Sequence, residues 1–230
     1  LMFVLGIDTS NTILSIALVK DGETLAELTE ATKNDHSKKL MPAIQDLFKQ
    51  VHATPQQLDR IVVAEGPGSY TGVRIGVTVA KMLAWTLEKE LVGISSLAVI
   101  ARNIEEEGLI IPLFDARRET VFAGVYDGKT HNVVLEDGHY ELRQLLEHLK
   151  ESPKTMYFLG NDVSRYWDLI VEYLGEQAVQ TTDEELNIPH ASMLIECAKD
   201  VKPVENIHLF VPKYHRLPEA EMNWLLEQKK

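Results

Sequence analysis

"AEGPGSYTGVRIG", residues 64–76, holds four glycines and one proline within thirteen residues. An apolar run, "DRIVVAE" (59–65), precedes it, and a second, "VTVAKMLAW" (77–85), follows. A glycine-rich turn between a strand and a helix is a common way to hold a phosphate, because backbone N–H groups and a helix start can face the anion together. The spacing here departs from both nucleotide signatures. G-x-x-x-x-G-K-[ST] needs a lysine after its second glycine, and Val73 follows Gly72. In G-x-G-x-x-G counted from Gly66, the third glycine falls on Thr71. Arg74 could touch an anion, and the helix N-terminus would favour one.

The residues beyond the turn suggest another purpose. Gly72, Gly76, Ala80 and Ala84 recur every fourth position and make one stripe of very small residues on a helix. Such a stripe lets another backbone come close, either the chain's own sheet or a partner's helix. Glycine within a helix costs ~1 kcal/mol against alanine, so two of them need a compensating contact. On the residues alone the two readings stand equal. The helix "SKKLMPAIQDLFKQV" (37–51), with Leu40, Ile44, Leu47 and Val51 on one face, is expected beside it. Pro42 is placed near its start, where a proline costs least. Ser37 reads as its N-cap and His36 as a surface or interface residue.

Outward from this segment the chain reads as α/β. Strands are expected at 2–10, 12–22 and 23–32, with Asp21-Gly22 as a hairpin turn. The helix at 37–51, the strand at 59–66 and a helix reaching about residue 89 complete the series. A second series follows: strands at 109–116, 120–128 and 131–138, a helix at 140–151, a strand at 155–162 and helices at 163–174 and 191–200. "EAEMNWLLEQKK" (219–230) reads as a last helix that packs back on the first lobe. Three strands, a helix, a strand and a helix thus occur twice, which predicts two similar lobes, 1–98 and 99–230.

Composition excludes some classes. The net charge of the 230 residues is −12, divided as −2 over residues 1–98 and −10 over the remainder. A protein that clamps nucleic acid alone usually shows a basic face, since phosphate neutralisation supplies much of the affinity. The single cysteine, Cys197, permits no disulfide within the chain and suits a reducing compartment. It reads as a small buried hydrophobe. The longest uncharged runs, 9–19 and 91–101, fall short of the ~20 residues of a membrane span.

"GIDTSNTILSIALVKDG" (6–22), "HSKKLMPAI" (36–44), "GPGSYTGVRIGVTVAKMLAW" (66–85), "FDARRETVFAGVYDG" (114–128) and "PKYHRLPEAE" (212–221) occur in this order. Together they resemble the bacterial TsaB family, also called YeaZ. The resemblance implies the actin-like (ASKHA) fold, with two lobes of βββαβα type. It also implies a place in making N6-threonylcarbamoyladenosine beside the anticodon of tRNAs that read ANN codons. In that family TsaB is the non-catalytic partner of its paralogue TsaD and works with the ATPase TsaE. It pairs with itself when TsaD is absent. The expected partner face carries Leu40, Ile44, Leu47, Gly72, Val73, Gly76, Ala80 and Leu83. tRNA is expected to be met only through the complex, in the cytoplasm and away from membranes.

The residues themselves weigh against chemistry of the chain's own. The catalytic paralogue holds its metal through a helical His-x-x-x-His, since residues four apart share a helix face. None of the eight histidines, at 36, 52, 131, 139, 148, 190, 208 and 215, has another four positions away. Anchored on "LVGI" (91–94), the ligand positions fall on Ser96 and Ile100, so no metal is expected. The first phosphate turn of an actin-like fold would be Asp8-Thr9-Ser10-Asn11-Thr12, without a glycine to let backbone approach a phosphate. Asp8 could meet a magnesium ion through water, and Arg74 a nucleotide. No cofactor is expected to be required, and ATP or ADP only at the partner face. The alternative is an actin-fold ATPase or kinase-like enzyme acting alone.

Overall fold

The computed structural model describes residues 2–32 and 35–215. The expected terminal helix at 219–230 lies outside them.

The chain opens as an antiparallel meander of β1 (Phe3–Asp8), β2 (Ile13–Lys20) and β3 (Glu23–Ala31). Asp21 and Gly22 join the last two with φ of 54° and 84°, the paired positive values of a tight hairpin. α1 (His36–Gln50) leads to β4 (Arg60–Ala64), which pairs parallel to β1, and α2 (Tyr70–Leu87) leads to β5 (Glu90–Ile94). The sheet order is β3-β2-β1-β4-β5.

The second series repeats this plan. β6 (Leu109–Asp115), β7 (Thr120–Asp127) and β8 (Val133–Glu141) form a meander, followed by α4 (Leu142–Leu149), β9 (Met156–Leu159), α5 (Val163–Leu174) and β10 (Ala178–Gln180). The order β8-β7-β6-β9-β10 is that of the first sheet. The doubled pattern of the sequence is therefore a doubled topology. β10, three residues long, has too few side chains to show a period and escaped the sequence reading.

Two short helices stitch the lobes together. α3 (Ser96–Ala101) buries Leu97 and Ile100 with Ile110, Phe114 and Phe122 of the second lobe. The boundary expected between residues 98 and 99 thus falls inside a helix. α6 (Ala191–Cys197) packs on the first sheet, where the Ala191 N–H donates to Ser15 Oγ at 2.9 Å and Ser192 donates to Glu27. The chain then runs back along the first lobe as an irregular strap. The Val204 N–H donates to the Leu91 carbonyl at 2.8 Å and the Lys213 N–H to that of Glu65 at 2.7 Å.

Two details of α1 differ from expectation. Its N-cap is Asp35, not Ser37, and Pro42 lies inside the helix rather than at its start. His36 is buried: its Nε2–H donates to the Asn11 carbonyl at 2.6 Å, and Nδ1 lies 3.1 Å from Thr32 Oγ1. It therefore ties α1 to the first hairpin instead of serving a surface.

Candidate docking face and inter-lobe cleft

The glycine segment turns the chain from β4 into α2, and each of its glycines faces the protein's own backbone or hairpin. A Cβ on Gly66 would run into the Lys213 carbonyl oxygen, and one on Gly68 into that of Ser10. A Cβ on Gly72 would strike the Thr9 carbonyl oxygen, and one on Gly76 would lie 2.5 Å from Thr9 Oγ1. The contacts are hydrogen-bonded: the Ser69 N–H donates to the Ser10 carbonyl at 2.7 Å and Thr9 Oγ1 to the Gly72 carbonyl at 2.7 Å. Ser69 caps α2 by accepting from the Gly72 N–H at 3.2 Å.

This corrects the reading of the stripe. Gly72, Gly76, Ala80 and Ala84 are all buried against the first sheet and hairpin, as is Val73. Leu40, Ile44 and Leu47 of α1 are likewise core residues, and Leu83 is half-buried. None of the residues expected at a partner face is exposed. The physical reason is that β1 ends in a turn whose carbonyls lie directly beneath α2, so only a glycine or alanine face can settle there. The outward side of α2 is instead Thr71, Arg74, Thr78, Met82 and Trp85, flanked by half-buried Ile75 and Val79. A groove of about 390 Å³ lies along it, lined by Ser37 of α1 with Thr71, Arg74, Ile75, Thr78 and Val79. The helices α1 and α2 do lie side by side. The missed residues carried a signal: Ile75, Val79 and Met82 follow a helical spacing of four and three, beside the small-residue stripe.

Between the lobes lies a cleft of about 420 Å³, lined by Ser10, Asn11, Ser69 and Tyr70 on one side and Asp115, Arg117, Asn161 and Asp162 on the other. Three of its hairpin N–H groups are used internally. Ser10 N–H donates to Asp8 Oδ1 at 2.9 Å, Ile13 N–H to Asn11 Oδ1 at 2.7 Å and Arg117 N–H to Asp115 Oδ1 at 2.9 Å. Asp115 also accepts from Arg165 at 2.7 Å and from the Tyr166 hydroxyl at 2.5 Å. At these three groups a phosphate would have to displace the side chains of Asp8, Asn11 and Asp115. Asp8 is fully buried and its Oδ2 has no hydrogen-bond partner among the described residues. Burial raises its pKa, against the two hydrogen bonds from Ser10 that favour the anion. Arg74 is exposed on α2, its guanidinium 5.4 Å from the centre of the Tyr70 ring. The structure does not bring Asp8 and Arg74 together as one site: one is core, the other surface.

Ser96 and Ile100, the positions aligned with the paralogue's metal ligands, serve packing. Ser96 Oγ accepts from the Gly66 N–H at 3.2 Å, and Ile100 is in the inter-lobe core. Among the described residues, no three His, Cys, Asp or Glu side chains are grouped as a metal would require. Beside them is a junction that sequence reading missed. Asp137 of β8 accepts from the Ser95 hydroxyl at the start of α3 and from the Tyr126 hydroxyl. Gly124 makes room, since a Cβ there would meet Asp137 Oδ1. Burial raises the pKa of both Asp137 and Tyr126.

Comparison with known proteins now bears on this geometry. The chain is 43% identical over 99% of its length, and the whole of the relative's, to the tRNA threonylcarbamoyladenosine biosynthesis protein TsaB of Bacillus subtilis. The chain belongs to the TsaB family. The family model for TsaD, tRNA N6-adenosine threonylcarbamoyltransferase, matches residues 24–224. The structure of YeaZ from Pseudomonas aeruginosa superposes with a TM-score of 0.76 at 26% identity, over 93% of this chain and 100% of that one. A ROK hexokinase from Thermus thermophilus reaches 0.50 at 10% identity, over 87% and 99%, a likeness of fold alone. The two-lobed α/β architecture is thus actin-like, and TsaB relatives are named for tRNA threonylcarbamoyladenosine biosynthesis. Among the described residues no helix is long and apolar enough to cross a membrane.

Proposed function

We propose that the chain is a non-catalytic subunit of the assembly that forms N6-threonylcarbamoyladenosine beside the anticodon of tRNAs reading ANN codons. It docks on a TsaD-family subunit, joined by the ATPase TsaE, and pairs with itself when that subunit is absent. It works in the cytoplasm and meets tRNA through the complex. The observation that carries this reading is the outward side of α2. Its apolar Ile75, Val79 and Met82 remain uncovered or half-covered while the inward side is filled by the chain's own turn. Soluble helices ordinarily hide their apolar side, so an apolar outer side marks an interaction surface.

The cleft supports the non-catalytic part. Three of the hairpin N–H groups at the cleft, those of Ser10, Ile13 and Arg117, are already bound by Asp8, Asn11 and Asp115. The positions of the paralogue's ligands hold Ser96 and Ile100 in packing roles. The chain needs no cofactor of its own, and any ATP or ADP binds at the partner face. Light scattering after size exclusion, on the chain alone and mixed with the TsaD-family subunit of its organism, tests the proposal. A heterodimer formed at the expense of the homodimer is expected. No complex, together with steady ATP turnover by the isolated chain, would favour a self-sufficient ATPase.

A further inference from the structure

The strap that ends the described chain runs antiparallel to α2. His208 lies edge-on to Trp85 with ring centroids 5.5 Å apart, Lys81 Nζ donates to the Phe210 carbonyl at 2.6 Å, and Tyr214 stacks on Tyr70 at 4.6 Å. These contacts hold residues 208–214 against the helix from its last turn to its first. Beside exposed His208 and Lys213, large apolar side chains are left pointing to solvent: Leu209 is 75% exposed, Val211 65% and Trp85 62%. α1 flanks α2 on the other side, along the groove that holds Ser37 and Ile75.

Charge marks the same surface. The chain carries 35 Asp and Glu, yet none falls within residues 66–87 or 206–215. Its cations are partly spent. Lys81 serves strap carbonyls and Lys213 pairs with Glu65 at 2.7 Å. Arg74 lies on Tyr70 and has no carboxylate partner among the described residues. An acid-free, apolar strip with one arginine that meets no carboxylate among the described residues, on a protein of net charge −12, is the complement of an apolar surface bearing a carboxylate.

We infer that the docking face does not end at the helices: the strap is its third ribbon, and Leu209, Val211 and Trp85 seat the partner beside Arg74. The inference rests on the docking reading above and names the partner's chemistry, an apolar protein surface with a carboxylate opposite Arg74. Because Leu209 and Val211 are solvent-exposed, replacing them leaves the monomer's core intact.

The test is calorimetric titration of the full chain with the TsaD-family subunit of the same organism. Leu209→Glu/Val211→Glu is expected to weaken binding at least tenfold with an unchanged Tm. Arg74→Glu is expected to weaken it as well, whereas Arg74→Lys retains most of it. Val133→Glu/Val134→Glu, on the exposed side of β8 in the other lobe, is expected to bind like wild type. Strap-variant affinity within twofold of wild type would overturn the third ribbon while leaving the docking reading standing. A wild-type chain that does not bind at all would overturn both.

Discussion

α2 and α5 occupy the same place in two lobes of identical strand order, each following the fourth strand of its sheet. Their inward faces are opposites. α5 buries Val163, Tyr166, Ile170 and Leu174 and turns Arg165, Asp168 and Glu172 to solvent, with Val171 as its one exposed apolar residue. α2 buries Gly72, Gly76, Ala80 and Ala84 with Val73 and Val77, leaves Ile75 and Val79 half-buried at the edge of the core, and turns Met82 and Trp85 outward. α5 is an ordinary amphipathic helix whose energy comes from apolar burial. α2 settles closely on a backbone turn and keeps apolar area outside. One topology therefore supports two tasks: α5 closes a lobe, and α2 presents a surface.

The inner face of α2 gives the largest effect. Gly72→Leu has no free space, because the obstructing atom is the Thr9 backbone carbonyl. It is expected to cost more than the ~1–3 kcal/mol of ordinary overpacking and to yield little folded protein, read as lost cooperative melting. Gly76→Ala meets a side-chain oxygen instead and should melt closer to wild type. If Gly72→Leu folded normally and lost only its partner, the stripe would face outward after all.

The inner face of α5 should respond in the opposite sense, to removal rather than addition. Ile170→Ala empties a fully buried position and is expected to lower stability by ~2–5 kcal/mol by denaturant titration, with native affinity for the partner under folding conditions. A change in affinity equal to that of a docking-face variant would erase the distinction between the helices.

The smallest effect concerns the junction that both lobes share. Burial raises the Asp137 carboxyl above its unfolded value, although Ser95 and Tyr126 donate to it. The folded protein then holds this proton more tightly than the unfolded chain. The associated stability is complete below the unfolded value of ~3.9 and is lost as pH rises through the higher folded value. Asp137→Asn should remove that decline, seen as a flatter difference in Tm between pH 4 and 7. Asp8, raised in the same direction, is common to both proteins and cancels. An unchanged pH profile would show that Asp137 does not couple the lobes through its charge.

Much of this was legible in the chain. The doubled series of strands and helices followed from short apolar runs punctuated by Asp21-Gly22 and by the glycines at 66–76. α5 was read with its observed bounds because Val163, Tyr166, Ile170 and Leu174 keep helical spacing. The orientation of α2 was not legible. Small residues permit close approach but do not say to what, and the Thr9 carbonyl that decides it lies 63 residues from Gly72. Asp137 was invisible for the same reason: its partner Ser95 is 42 residues away, and no local pattern announces such a pair. The apolar outer ridge of α2 was visible but was overshadowed by the glycines beside it.

The most direct test of the account is Thr78→Glu, mixed with the TsaD-family subunit of the same organism and followed by light scattering after size exclusion. Thr78 lies on the groove side of α2, exposed and clear of the buried stripe. The account predicts a folded variant with wild-type Tm that elutes apart from the partner while wild type elutes with it. A Thr78→Glu chain that pairs as tightly as wild type would contradict the claim that α2 turns its outer face to a partner.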